Sequence, residues 1–348
     1  MTDKQEFWRR MPKVMLHEHL DGGLRPDTLL ELCRSKDIAV PADNAQDLGR
    51  WVSANANSGS LERYVSAFWI TVAAMGDVDA CERVAYEAVI DAQLDGCVLA
   101  EFRMAPLLLE PHGLSPDAAV LALLAGLKRG SASCGIPCGL IVCAMRTDPI
   151  EQVERAAKLA VRYADQGVVG FDLAGAELGF PAGVHQRAIE MAREAGLGIT
   201  LHAGEADSGE RVLQAIALGA SRIGHGVHIA MGQGAQTRMA QVAAMGARVH
   251  FEVCPTSNLH TGAVRTMAGH PLPAMHQAGL SVSVHTDNRL MSMVTMRHEL
   301  ELAHSQLGFT VAQLCDMTVS AARASFLPQA ACDSALAAIT DWRALHAV

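Results

Sequence analysis

Eight short β-branched or apolar runs, each separated from the next by a stretch of different character, constrain this chain more than any other feature. They lie at Val14–His19, Val98–Met104, Pro137–Met145, Val168–Leu173, Gly198–His202, Arg222–His228, Ala247–Val253 and Leu280–Asp287. Between them, stretches such as Ile150–Gln166, Gly183–Ala195 and Gly209–Leu218 repeat apolar residues at helical spacing. Strands alternating with helices imply parallel pairing through right-handed crossovers. Eight repeats point to an α/β fold of the closed (β/α)8 barrel type, with an open sheet as the alternative that counting leaves. A chain of 348 residues without a Pro/Ser/Gly-rich linker suits one barrel domain over residues 1–348. In either topology, polar chemistry is expected at the carboxyl ends of the strands.

Composition narrows the partners. Half the residues are hydrophobic and 19% are charged, enough for a large core and contrary to disorder. The formal charge is −9 and no basic run is present, which argues against nucleic acid. No apolar stretch approaches the ~20 residues of a membrane span, and the polar start Thr2-Asp3-Lys4 has no leader-like apolar run. Nine cysteines scattered from Cys33 to Cys332 read as small core residues of a reducing compartment. The closest set, Cys134, Cys138 and Cys143, lacks C-x-x-C spacing. A cytoplasmic location is expected; the oligomeric state is not legible.

The first connection is long, from about residue 25 to 95. Inside it Leu61, Tyr64, Val65 and Phe68 fall at i, i+3, i+4 and i+7, one apolar stripe of a helix. Such a helix either faces the core or forms a lid over the barrel mouth.

The strand ends carry the chemistry. The first run ends His17-Glu18-His19-Leu20-Asp21, where period two puts both imidazoles on one face. The fifth ends His202-Ala203-Gly204-Glu205; there Glu205 is either a capping-box acid or a proton-transfer acid beside a ligand. The sixth holds His225 between Gly224 and Gly226, a core histidine or a group approached closely by a ligand. The eighth ends Ser283-Val284-His285-Thr286-Asp287, placing Asp287 on the polar face. Independent core histidines would not gather at the same end of four strands. Three imidazoles and one carboxylate suit zinc, whereas Mg²⁺ or Ca²⁺ would call for more oxygens. With one position open, such a metal lowers the pKa of water to roughly 7.

The segments MPKVMLHEHLDGGLRP, GFDLAGAE, HAGE, GHG, FEVCPTSN and HTDN, in this order from Met11 to Asn288, resemble the adenosine deaminase family within the amidohydrolases, in a bacterial version. The other zinc deaminase class, H-x-E followed by P-C-x-x-C, is absent, since His250-Phe251-Glu252 has no such sequel. The resemblance implies one Zn²⁺ per chain held by His17, His19, His202 and Asp287. It implies that Glu205, raised in pKa by burial, protonates ring N1, that His225 orients and deprotonates the attacking water, and that Asp287 also accepts a hydrogen bond from it. Around the substrate it implies His19, the Gly175 backbone at purine N3, Asp21 at the ribose 5′-hydroxyl, and Leu61, Tyr64 and Phe68 as an apolar lid. Asn288 stands where the family often has a second aspartate donating to N7, and its amide can donate there. His285 stands where Asn is expected, either beside the site or in the core, and Ala176 replaces an acidic residue.

The activity implied is hydrolytic deamination of adenosine and 2′-deoxyadenosine, in purine salvage, with a small aminopurine nucleoside as the partner. Free adenine or a 5′-substituted adenosine such as aminodeoxyfutalosine is the rival substrate; a 5′-phosphate would be repelled by Asp21. Two-metal amidohydrolases use a bridging Lys or Glu after the fourth strand, and Phe171-Asp172-Leu173-Ala174-Gly175 offers no Lys. A non-catalytic scaffold would have lost a ligand or the acid, and none of the six groups is missing.

Overall fold

The computed structural model describes residues 3–348, with side chains from Glu6 onward. Eight parallel strands, β1 (Lys13–Met15), β2 (Cys97–Met104), β3 (Cys138–Met145), β4 (Val168–Ala174), β5 (Gly198–Ala203), β6 (Arg222–His225), β7 (His250–Val253) and β8 (Ser281–Val284), pair in sequence order. This is the α/β barrel architecture expected from the alternation.

Closure between β8 and β1 does not run through a ladder. A single parallel bridge joins Glu18 to Asp287. The His19 amide donates to the Asp287 carbonyl at 2.8 Å, and the Asp287 amide to the His17 carbonyl at 3.0 Å. The seam is therefore made by the segments that follow the two strands.

Several strands are shorter than the runs that announce them. β1 stops at Met15, so His17 and His19 lie beyond the strand. β6 stops at His225 and a 3-10 turn, Val227–Ala230, follows it. Ala247 belongs to a 3-10 turn at Gly246–Arg248, and β7 starts at His250. β8 ends at Val284, before His285 and Asp287. After β1 and β8 the chain leaves the ladder before His17, His19 and Asp287 reach the cluster.

Helices cover the outside and begin and end where local chemistry dictates. The helix Pro116–Cys134 has Ser115 accepting from the Ala118 amide, Pro at its first position and Gly135 in the left-handed conformation at its end. Thr310 and Gln313 form a reciprocal capping box at the start of Val311–Ala324. Among the described residues, no single helix is long and apolar enough to cross a membrane. The long first connection holds five helices: Pro26–Ser35, Ala45–Ala56, Leu61–Ser66, Trp69–Ala74 and Val78–Leu94. The expected stripe is therefore broken, with Phe68 falling between the third and fourth of these.

The barrel interior is ionic rather than aliphatic. Arg103 on β2 donates to Asp172 on β4 at 2.8 Å and to Glu252 on β7 at 2.6 Å, all three fully buried. Arg222 on β6 reaches Glu252 and Glu101, each at 2.6 Å. Breaking such a buried network is costly because each orphaned charge stays out of water.

Candidate metal centre and cleft

The polar network of the barrel supports the cluster above it. His17 Nδ1 lies 2.8 Å from Glu252 Oε2, and His202 Nδ1 lies 3.0 Å from Asp172 Oδ2. Although burial alone would raise Glu252, Arg103 and Arg222 hold its carboxyl well below the usual range. Burial likewise opposes ionisation of Asp172, but His202 and Arg103 lower it. Ionised carboxylates only accept, so both imidazoles carry their proton on Nδ1 and turn the Nε2 lone pair inward.

One ligand atom from each of His17, His19, His202 and Asp287 lies within 4.8 Å of the others. His17 Nε2 is buried without a hydrogen-bond partner. It faces Asp287 Oδ1 at 3.3 Å, and His19 Nε2 faces His202 Nε2 at the same distance. Inward lone pairs and a carboxylate oxygen converging in a buried space fit a divalent cation of the borderline-soft kind. Asp287 reaches the cluster through a left-handed backbone (φ 63°), not through strand alternation as the sequence suggested. Ser257 donates to its other oxygen at 2.5 Å. Gly224 keeps the same packing close: a Cβ there would stand 3.0 Å from His17 Cε1, and the imidazole would have to give by a few tenths of an ångström.

A cavity of about 460 Å³ opens on this cluster. His19, His202 and Asp287 line it together with Glu205, His225, Asp21, Gly175 and Asn288, and Leu61, Tyr64 and Phe68 form part of its apolar wall. His17 sits behind, fully buried.

Glu205 is no capping residue; the following helix, Gly209–Ala217, has Ser208 at its N-cap position and no side-chain capping bond. Its segment is instead pinned by Glu177, whose carboxylate accepts from the amides of Gly204, Glu205, Ala206 and Asp207 at 2.7–3.0 Å. Burial, then the charges of Asp287 and Glu177, push the Glu205 carboxyl well above the usual range. His225, also in left-handed backbone (φ 60°), faces Glu205 Oε2 at 3.6 Å, and its Nδ1 lies 3.0 Å from the Asn258 amide. Two non-glycine residues held at positive φ in one site mark strain that the surroundings must sustain.

Asp21 is 4% exposed, its Oδ1 has no partner, and burial raises its carboxyl to about 7. Asn288 packs on Gly22, where an added Cβ would stand 1.8 Å from Asn288 Oδ1. His285 is a core residue: it accepts from the Leu16 amide at 3.2 Å and pairs with Ser283 at 2.6 Å, outside the cavity lining.

Reasoning from strand ends missed Asp172, Glu252, Arg103, Glu177 and Ser257. Their signal was available. Glu101 and Arg103, like His250 and Glu252, are charged or polar residues spaced by two within otherwise apolar strands, which only partnering inside a barrel can sustain.

A parallel barrel whose strand ends gather imidazoles, a carboxylate, a raised acid and an open cleft defines a metal-dependent hydrolase. The particular family follows from comparison with known proteins. The adenosine deaminase family model matches residues 12–342. A protein from Mycobacterium marinum called adenosine deaminase is 40% identical over 332 residues, covering 92% of this chain and 91% of the relative. An amidohydrolase from Burkhoderia ambifaria, solved with bound zinc, superposes at TM-score 0.88 with 23% identity, covering 100% of this chain and 94% of that one. An N6-mAMP deaminase from Arabidopsis superposes at 0.83 with 25% identity, covering 97% and 99%. The chain belongs to the adenosine deaminase family.

Proposed function

We propose that this chain, a hydrolytic deaminase by family, converts adenosine and 2′-deoxyadenosine to their inosine counterparts with release of ammonia, using one Zn²⁺ per chain. The reading rests on one observation above all: three of four clustered ligand groups, a buried raised acid and a histidine line one cleft, with the fourth ligand, His17, directly behind. His17, His19, His202 and Asp287 would hold the zinc, which when bound supplies a Lewis acid and water that ionises near neutral pH.

The chain's own groups do the rest. Glu205, kept protonated by burial, gives its proton to ring N1 and makes C6 electrophilic. Burial holds His225 well below its ordinary value, so its ring is neutral, and it would accept a proton from the attacking water on Nε2 with the Asn258 side chain turned so that its oxygen accepts from Nδ1–H. Asp287 accepts a hydrogen bond from that water while Ser257 holds its far oxygen. The Gly175 backbone and Asn288 position the purine, Asp21 receives the 5′-hydroxyl, and the Leu61–Ser66 helix with Phe68 closes the mouth as a lid.

No Lys or Arg lines the cleft among the described residues, whereas three buried acids, Asp21, Glu205 and Asp287, do. A 5′-phosphate therefore finds no counter-charge, which separates this chain from a nucleotide deaminase. Ultraviolet absorbance with adenosine, deoxyadenosine, adenine, aminodeoxyfutalosine and AMP, with and without a chelator, tests this. The nucleosides should be converted in a chelator-sensitive manner, with AMP slower by about 10²-fold or more. Turnover of AMP at the rate of adenosine would sink the assignment.

Gly22→Ala gives a narrower check. The new methyl must displace Asn288, so kcat/KM for adenosine should fall by about 10²-fold while zinc content is kept. Parental kinetics would remove Asn288 from the purine contacts.

A further inference from the structure

A polar chain runs from outside the cleft lining to His225. His270 follows the 3-10 turn Met267–Gly269, and its Nδ1 accepts from the Leu272 amide at 3.1 Å. Its Nε2 lies 3.3 Å from Asn258 Oδ1, and Asn258 Nδ2 lies 3.0 Å from His225 Nδ1. All three residues are buried, and of them only His225 lines the cleft.

The first of these bonds sets the direction of the others. A backbone amide can only donate, so His270 Nδ1 is bare. Burial lowers the His270 ring to about 4, so it is neutral and carries its one ring proton on Nε2. That N–H is donated to Asn258, which turns the side-chain oxygen toward His270 and the side-chain amide toward His225. The amide donates to His225 Nδ1. The neutral His225 ring then carries its own proton on Nε2, the nitrogen that faces Glu205 at 3.6 Å.

We propose that His270 is a positioning residue: through Asn258 it holds the resting His225 ring with its proton on Nε2. The base role given to His225 needs Asn258 turned the other way, and His270 sets what that turn costs. Once turned, the Asn258 amide meets the His270 N–H, donor against donor. His270 can avoid this only by moving its proton to Nδ1, which orphans the buried Leu272 amide. A buried donor without a partner disfavours the turned form by on the order of tenfold or more. The base form of His225 is therefore a minor state of the resting site, which the bound substrate has to select.

The kinetic consequence rests on the deaminase reading above, whereas the proton position can be read without turnover. Nitrogen-15 spectra of histidine-labelled protein, as purified and without substrate, report it, with His225→Gln and His270→Gln identifying the two rings by difference. Each ring should show a bare Nδ1 and a protonated Nε2. His270→Met removes the donor to Asn258 and should spread the His225 proton over both nitrogens. Asn258→Asp, whose carboxylate only accepts, should draw that proton to Nδ1. Turnover then separates the relay from the base role: kcat for adenosine in His270→Met should match the parent or exceed it by up to about tenfold. A lower kcat beside a redistributed proton would support the relay and remove the base role of His225. A parental His225 ring protonated on Nδ1, or His225 signals unmoved in whichever of the two variants folds, would overturn the proposal.

Discussion

Glu205→Gln should lower kcat for adenosine by about 10³-fold while leaving zinc content and fold intact. General acid groups contribute roughly 10²–10⁴-fold, and here no other carboxyl on the cleft wall combines burial with so strong a push toward the protonated form. Asp21 is raised too, but only to about 7, and Asp287 is engaged by His17 and Ser257. Glutamine keeps the shape and can still donate an N–H to N1, so KM should change little. It cannot transfer a proton. The sign of the pH dependence follows from the proposed role: if the active form of Glu205 is the protonated one, kcat falls as pH rises through its raised pKa. Stopped assays of adenosine turnover across pH, beside metal analysis of each variant, measure both. A variant within tenfold of the parent at neutral pH would show that the proton comes from elsewhere.

The parts of this site that were legible in the sequence are those whose roles depend on position along one strand end. His17, His19, His202, Glu205, His225 and Asp287 each close an apolar run, and buried imidazoles there demand a reason. Their mode of arrival was not legible. Period two placed His17 and His19 on one face of a strand, yet β1 stops at Met15, and Asp287 arrives through a left-handed turn. Left-handed geometry at a non-glycine residue leaves no mark in the sequence. His285, which by alternation shares a face with Asp287, shows the cost: the turn after β8 parts them, and His285 stays in the core beside Ser283. The supporting carboxylates were harder still, because each acts on a partner far away in sequence, Glu252 on His17 and Asp172 on His202. What ties them together is Arg103, whose one local mark is its spacing by two from Glu101 in an otherwise apolar strand, with no sign of which partners it serves.

Arg103→Met should cost about 3–5 kcal/mol of stability, the largest structural loss expected from a single change in this chain. The guanidinium is fully buried and serves three acceptors: Asp172 Oδ2 at 2.8 Å, and Glu252 Oε2 and the Leu16 carbonyl, each at 2.6 Å. Methionine fills much of the volume, so the loss is electrostatic. Asp172 and Glu252 would face each other's field with the Arg103 charge gone, and the remaining Arg222 pairs only with Glu252 of the two. Domains are stable by only about 5–15 kcal/mol, so such a loss takes a large share. It should also reach the metal. A carboxylate that protonates to escape burial no longer accepts from His17 or His202 Nδ1, and loss of such support lowers metal affinity about 10–100-fold. Arg103→Lys should fall between parent and Met, since an ammonium restores the charge but not the fork that spans β4, β7 and the end of β1. Urea unfolding of the three proteins, with zinc titrated into each after chelation, gives both readings. If Arg103→Met unfolds within about 1 kcal/mol of the parent and binds zinc as tightly, the ionic interior is dispensable and the imidazoles are oriented by packing alone.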